Sequence, residues 1–345
     1  MTAAGPPTRD GAACRAAVDG GAGGIVSKTI SVDPAQVPRP CMSDIQVGML
    51  NTELWSELTK EQWIEREYGI AKAAGVPLII GLGYTAEQIS ELAALVKPFA
   101  DALELSCHYV GNDLQPIIQA VSAAKLAVDV PVFVKMTPHP NIQEIALAVE
   151  GAGADALVMI NSFGPCMGID VETGLPLMGS PAGYGWLSGK AIKPLAIRCI
   201  FDAAKAVKIP VIGVGGVATG KDAAEMFMAG AAAVQVCTEA ILKGPGIYGK
   251  ISRELDEFLD SHGYASVKQI KGLTLRKMAA RSFYTAAVAP VVDEKTCIAC
   301  GNCAKSCPYQ AVALASGKAV IDKSACFGCG LCISRCPVRA IKFTG

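Results

Sequence analysis

Pro210-Val211-Ile212-Gly213-Val214-Gly215-Gly216-Val217 is a short apolar run that ends in glycines, and a helical pattern opens behind it at 221–229. A continuous apolar run of this length reads as a strand buried on both faces, the way parallel strands covered by helices are written. The same phrasing recurs along the chain. Apolar runs at 24–29, 77–83, 101–107, 131–136, 155–161 and 232–237 alternate with segments at 86–100, 114–127, 142–151 and 190–207 whose apolar residues fall at helical spacing. Strand alternating with helix means a parallel sheet, open or closed.

About 290 residues precede the cysteine-rich end, a length that suits one (β/α)8 barrel. The eighth strand of such a ring would have to lie at 2–5. Either strand one is a truncated stub, or the reading frame begins upstream of Met1. The fold expected is therefore α/β: a (β/α)8 TIM barrel with a small C-terminal α+β domain. The expected boundaries are a barrel over 1–264, a linker and docking segment over 265–290, and the small domain over 291–345.

The small domain announces its own chemistry. Cys297, Cys300, Cys303 and Cys307-Pro308 follow an x2, x2, x3 spacing, and Cys326, Cys329, Cys332 and Cys336-Pro337 repeat it 29 residues later. A [4Fe-4S] cubane needs four thiolates at tetrahedral corners; one loop presents three and the other copy supplies the fourth. The implied sets are Cys297, Cys300, Cys303 with Cys336, and Cys326, Cys329, Cys332 with Cys307. Four-cysteine zinc sites share the Cys-x2-Cys spacing but need neither the triple run nor the following proline. A disulfide framework would demand an oxidising compartment, and no signal peptide precedes the chain. Residues 291–345 resemble the bacterial dicluster ferredoxin domain.

Composition narrows the function classes. With 31 basic and 31 acidic residues in 345, the formal charge is zero, which disfavours a nucleic-acid surface or a polybasic membrane anchor. No apolar run reaches the roughly 18 residues of a membrane span. The expectation is a cytoplasmic protein with a small-molecule substrate; a homo-oligomer stays open.

Catalytic groups of a barrel sit at the C-terminal ends of its strands, and those ends are polar here. They are Ser27-Lys28-Thr29, Lys135-Met136-Thr137-Pro138, Asn161-Ser162, the Gly215-Gly216 turn, and Gln235-Val236-Cys237-Thr238. Glycines followed by a helix, paired with a Cys-Thr at the last strand, make a phosphate cradle of backbone N–H groups. A phosphate-bearing cofactor is the economical occupant.

These segments, with Met49-Leu50-Asn51-Thr52-Glu53, Asp101-Ala102-Leu103-Glu104-Leu105-Ser106-Cys107 and Ser188-Gly189-Lys190-Ala191-Ile192-Lys193-Pro194, carry a resemblance. The stretch 7–263 is similar to the flavin-binding barrel of the dihydropyrimidine dehydrogenases and, more distantly, of the dihydroorotate dehydrogenases. A barrel of this kind ending in a dicluster ferredoxin resembles the catalytic subunit of bacterial NAD-dependent dihydropyrimidine dehydrogenase. The resemblance implies FMN, with Lys28 and Lys135 against the isoalloxazine and ribityl groups, and Gly189, Gly215, Gly216, Cys237 and Thr238 around the ring edge and phosphate. Ala3 and Ala4 would lie under the flavin.

For substrate, it implies Asn51 and Asn161-Ser162 as hydrogen-bonding partners of a pyrimidine ring. At the end of the 101–107 strand the family writes Asn-x-Ser-Cys, and this chain departs from it. Counting back from Cys107 puts Glu104 at the asparagine position; counting forward from Asp101 puts Ser106 there and Tyr109 at the cysteine. A general acid must complete reduction of a C=C bond; Cys107 is the first choice and His108 the second. The leading expectation is an FMN and iron-sulfur oxidoreductase that interconverts a pyrimidine-like cyclic amide and its dihydro form. Its electrons would pass through two [4Fe-4S] clusters to an FAD/NAD(H) reductase subunit or a ferredoxin. The alternatives are dihydroorotate dehydrogenase and, in another class, a non-catalytic electron-transfer adaptor.

Overall fold

In the computed structural model, which describes residues 1–106 and 113–343, the apolar runs become the staves of a closed parallel ring. The chain divides into two units, Met1–Ala280 and Arg281–Gly345. In chain order the strands of the first are β1 (Ile25–Val26), β2 (Met42–Asp44), β3 (Met49–Asn51), β4 (Leu78–Leu82), β5 (Ala102–Ser106) and β6 (Val132–Met136). They continue with β7 (Ala156–Met159), β8 (Phe163–Cys166), β9 (Gly185–Ser188), β10 (Val211–Gly213) and β11 (Ala233–Val234).

One sheet runs β1-β4-β5-β6-β7-β10-β11 with every neighbour parallel. The N-terminal residues close it. Thr2 bridges Val236 in parallel, with the Ala3 N–H donating to the Val236 carbonyl at 3.0 Å; on its other side the Thr2 N–H donates to the Gly24 carbonyl at 3.1 Å. The stub expected at 2–5 is thus the stave that joins first and last strands, seated one residue earlier.

Side chains alternate along each stave, as the two-residue period requires. Ile79, Ala102, Phe133, Ala156, Val158, Ile212 and Val214 fill the inside of the ring. Leu78, Ile80, Leu82, Leu103, Leu105, Val132, Val134, Leu157 and Met159 face the helices. Both faces are buried, so the strands read as unbroken apolar runs rather than as alternation. At the N-terminal rim Asp101 and Asp155 tie neighbouring staves, accepting the N–H groups of Leu78 at 2.8 Å and Val132 at 2.7 Å. These rim bonds serve stability, since a barrel keeps its chemistry at the opposite end.

A second, antiparallel sheet, β2-β3-β9-β8, is built from the long connections 31–59 and 163–188. The 163–188 connection supplies two of its strands. Beyond the ring, the helices Ile247–Ser261, Val267–Ile270 and Leu273–Ala279 pack on the helix Gly220–Ala229, with Ile270 fully buried and the Gly272 N–H bonded to the Phe227 carbonyl at 2.9 Å. Residues 265–280, placed in the linker on sequence grounds, therefore belong to the first unit. Their apolar side chains are too few to make a visible period, which is why they read as linker.

The second unit pairs β12 (Val291–Val292) with β15 (Ile341–Lys342), and β13 (Val312–Ala315) with β14 (Lys318–Ile321), both antiparallel. Its backbone repeats with the sequence. Ala299 and Gly328, Gly301 and Gly330, and Gln310 and Arg339 are pairs at the 29-residue offset, and all six adopt positive φ between 52° and 77°. Among the described residues, no helix is long and apolar enough to cross a membrane.

Candidate active site and metal centres

A cavity of about 490 Å³ opens where the staves end. Its floor is laid by Ala3, Ala4, Lys28, Lys135, Ile160, Val214 and Gln235, each delivered by the C-terminal end of a stave. Asn51, Trp186 and Ser188 come from the second sheet, Asn161 and Ser162 from the turn after β7, and Gly189, Gly215, Gly216, Cys237 and Thr238 from the loops after β9, β10 and β11. Every flavin and substrate position named from sequence in the described residues lines this one cavity. Cys107 and His108 lie outside the described residues.

Both lysines are buried and both face a carboxylate. Lys28 is ion-paired with Glu53, whose Oε1 also accepts from the Cys41 thiol at 3.4 Å. Lys135 Nζ stands 3.7 Å from Glu104 Oε1. Glu104 and Ser106 sit on the same side of β5, two residues apart, so both point into the ring. Glu104 lies deeper and does not touch the cavity, whereas Ser106 lines it and its hydroxyl is 3.5 Å from Asn161 Nδ2. Of the two residues that the two readings of this strand put forward, Ser106 reaches the cavity and Glu104 does not.

At the far side the glycines pack so closely against their neighbours that a side chain could not be placed there. Gly216 has φ +80°, and a Cβ there would stand 2.6 Å from Lys193 Cβ and 2.9 Å from the Gly189 carbonyl oxygen. Gly189 and Gly215 also take positive φ, 78° and 115°. The helix that follows, Gly220–Ala229, spends its free N–H groups internally: Asp222 accepts from Ala218 and Thr219, and Thr219 caps Asp222 in return. Burial alone would raise the Asp222 carboxyl, but Lys193, Thr219 and the Ala218 N–H outweigh it and hold it below the ordinary range. The helix expected to cradle phosphate is therefore already capped. Thr238–Lys243 has no side-chain cap, and its first residues line the cavity with Thr238 Oγ1 donating to Ser188 Oγ at 2.9 Å. Burial pushes the Cys237 thiol up against the pull of Lys135 and Lys28, so it stays a neutral wall of the site.

These features fit FMN. The cradle of Gly189, Gly215, Gly216 and Thr238 suits a phosphate, Lys28 and Lys135 suit an electron-rich ring edge, and Gln235 Oε1 is a buried acceptor with no partner of its own. Sequence reasoning quoted Glu53, Ser188 and Gln235 inside motifs without giving them a role. It missed Trp55 and Tyr84, an edge-to-face aromatic pair at 5.4 Å on the cavity wall.

In the second unit the eight cysteines gather as the duplication implies. Cys297, Cys300, Cys303 and Cys336 line one small gap; Cys307, Cys326, Cys329 and Cys332 line another. Among the described residues no three Cys, His, Asp or Glu side chains crowd closely enough to share a single ion. A cubane needs that wider spread, since each thiolate meets a different iron.

Fold and site together define a flavin-dependent barrel oxidoreductase joined to an iron-sulfur unit. The family profile described as dihydroorotate dehydrogenase matches residues 1–259, and the 4Fe-4S dicluster domain profile matches 290–343. The chain is 40% identical over 267 residues to the dihydroorotate dehydrogenase B (NAD(+)) catalytic subunit of Methanothermobacter thermautotrophicus, covering 74% of this chain and 87% of that protein. The proteins of the same name from Methanosarcina mazei and Pyrococcus abyssi are 39% and 34% identical over 274 and 268 residues, covering 75% and 74% of this chain and 86% and 88% of theirs.

The chain belongs to the dihydroorotate dehydrogenase family, with a dicluster domain at its C-terminal end. It is an oxidoreductase acting on CH–CH groups, and its cofactors are FMN and two [4Fe-4S] clusters. The relatives favour dihydroorotate dehydrogenase, set second on sequence grounds, over the dihydropyrimidine dehydrogenase reading that led there.

Proposed function

We propose that this chain is the catalytic component of a dihydroorotate dehydrogenase-type enzyme and interconverts a dihydropyrimidine ring with its unsaturated form. The single observation that carries the reading is the convergence of Lys28, Asn51, Lys135, Asn161 and the Gly215-Gly216 turn on one cavity. Bound FMN supplies the two-electron chemistry. The chain's part is to hold it, with the glycine cradle and Thr238 toward the phosphate and the two lysines toward the ring, where cations favour charge that develops on reduction.

Asn51 and Asn161 each offer a donor and an acceptor, which suits the amide edges of the substrate ring. Asn51 is aimed by its Nδ2 bond to the Trp186 backbone carbonyl at 3.0 Å, and Asn161 Oδ1 accepts from the Ser162 N–H at 2.9 Å. We assign the exchange of a proton with the substrate carbon to Cys107, with His108 as the second choice. The electrons leave through the clusters to an electron-transfer partner that carries its own nicotinamide chemistry, because the 210–217 turn has no GxGxxG fingerprint.

Dihydroorotate is the first substrate to test, on the strength of the relatives' name. A specific observation favours a second reading, an uncharged dihydropyrimidine: Glu53 and Asp33 line the cavity, and Glu53 already pairs with Lys28. A substrate carboxylate would have to compete for that lysine. The test is a comparison of kcat/KM for dihydroorotate and dihydrouracil with an artificial electron acceptor. A preference of ten-fold or more for either, about 1.4 kcal/mol, assigns the class; no turnover of either removes the proposal.

A further inference from the structure

We propose that Glu104 is a positioning residue that tunes the flavin's redox balance by opposing the charge of Lys135 from inside the barrel. The inference rests on the reading above that Lys135 faces FMN.

Glu104 is 1% exposed and lies one layer below the cavity floor. Its Oε2 accepts from Gln235 Nε2 at 2.6 Å; its Oε1 has no hydrogen-bond partner and faces Lys135 Nζ at 3.7 Å. Gln235 is itself fully buried, and its own Oε1 is also unpartnered. The surroundings are apolar, with Ala3, Val158, Ile212 and Val214 forming the neighbouring interior cluster.

As a device for stability this is a poor one. Removing two charges from water costs more than a 3.7 Å contact without a hydrogen bond returns, and apolar replacements of such pairs are often more stable. The arrangement makes better sense as electrostatics directed at the cavity. Lys135 and Gln235 both line it, and the carboxylate stands behind them, so the three form a polar column running up to the floor.

When a flavin takes two electrons and one proton from a reduced substrate, one negative charge is left on its pyrimidine edge. A bare Lys135 would favour that state strongly. Glu104 cancels part of the pull, keeps the reduced form from being over-stabilised, and so leaves electrons free to move on to an acceptor. At an effective dielectric of ~20, adding or deleting one nearby unit charge shifts the reduced-to-oxidised ratio by about ten-fold or more.

The experiment equilibrates the anaerobic holoenzyme with a reference dye of known potential and follows the flavin absorbance after subtracting that of the clusters. At a fixed dye potential Glu104→Gln should raise the reduced-to-oxidised ratio by about ten-fold, Glu104→Asp should stay near wild type, and Lys135→Met should lower it. An unchanged ratio in Glu104→Gln, with Lys135→Met still lowering it, overturns the role of Glu104 alone. No response to Lys135→Met overturns the underlying reading of that lysine. Should Glu104→Gln fail to retain FMN, thermal unfolding of the flavin-free protein decides. Lys135→Met must lower the melting temperature by stranding the carboxylate, and adding Glu104→Gln must recover it; no recovery ends the proposal.

Discussion

The two units keep their cofactors in opposite ways. The barrel has a continuous core, with staves buried on both faces, and its cavity is lined by side chains that this core already holds in position. The core cluster of the second unit is small, with Cys303, Val312, Ala319 and Ile341 buried, and the side chains packed around them include Cys297, Cys307, Cys332 and Cys336. Its metal ligands are part of its core. A scaffold that exists before its cofactor can spare it; one whose interior is made of ligands cannot, since small domains need metals or cross-links to supply what their apolar area does not.

The largest test of that contrast is removal of iron. Chelation under reducing conditions should unfold the second unit while the first keeps its structure, read as protease cleavage confined to 281–345. Cleavage spread evenly over both units would erase the distinction. Next in size is the converse for the barrel. Gly216→Val puts a side chain against Lys193 at a positive φ, so bound FMN should fall to a trace and the barrel should melt at a lower temperature, while 1–280 still resists protease at 25 °C.

Within the proposed chemistry, Cys107→Ala should reduce turnover by about 10²–10⁴-fold, the usual contribution of a proton-transfer group, with flavin content unchanged. A variant of full activity transfers the role to His108.

A smaller effect concerns the cap that occupies the helix after the glycine turn. Asp222→Ala should cost about 0.5–2 kcal/mol in thermal or denaturant unfolding. The Asp222 carboxyl is held below its ordinary range, so it binds fewer protons folded than unfolded. Its contribution is complete above the ordinary carboxylate range and fades as pH falls through the folded value, so the gap between wild type and variant should close in acid. The smallest prediction sharpens the comparison inside the second unit. Ala299 holds φ +55° where its duplicate is Gly328. A left-handed alanine costs about 1–2 kcal/mol, and glycine returns about 0.4–1 of that through unfolded-chain entropy, so Ala299→Gly should raise stability slightly in the iron-loaded protein.

The same contrast explains what could be read in the sequence. The cluster ligands were legible because a cubane takes three thiolates from one loop, and the fourth follows from the duplication. The barrel was legible as a succession of apolar runs, and its strand ends named the lysines, asparagines and glycines of the cavity. What sequence could not give were relations across the ring. Glu104 meets Lys135 from the next stave and Gln235 just beyond β11, 131 residues away. The two registers of the 101–107 segment read alike in sequence, because Glu104 and Ser106 share a face of β5 and only depth in the ring separates the one that lines the cavity from the one beneath it. The capping of Gly220–Ala229 by Asp222 was likewise hidden, because a glycine turn before a helix reads the same whether the helix end is free or closed. The packing of 265–280 on the first unit was hidden as well, because Ile270 is buried by a neighbour that only the fold supplies.

The central claim is that the barrel seats FMN in a chain that also carries two cubanes. Anaerobic purification followed by heat denaturation and quantification of released flavin tests it most directly. The account predicts FMN at about one equivalent per chain, or restored to that level by incubation with FMN, alongside iron and sulfide. Protein that carries iron and sulfide but neither holds nor takes up FMN would contradict it.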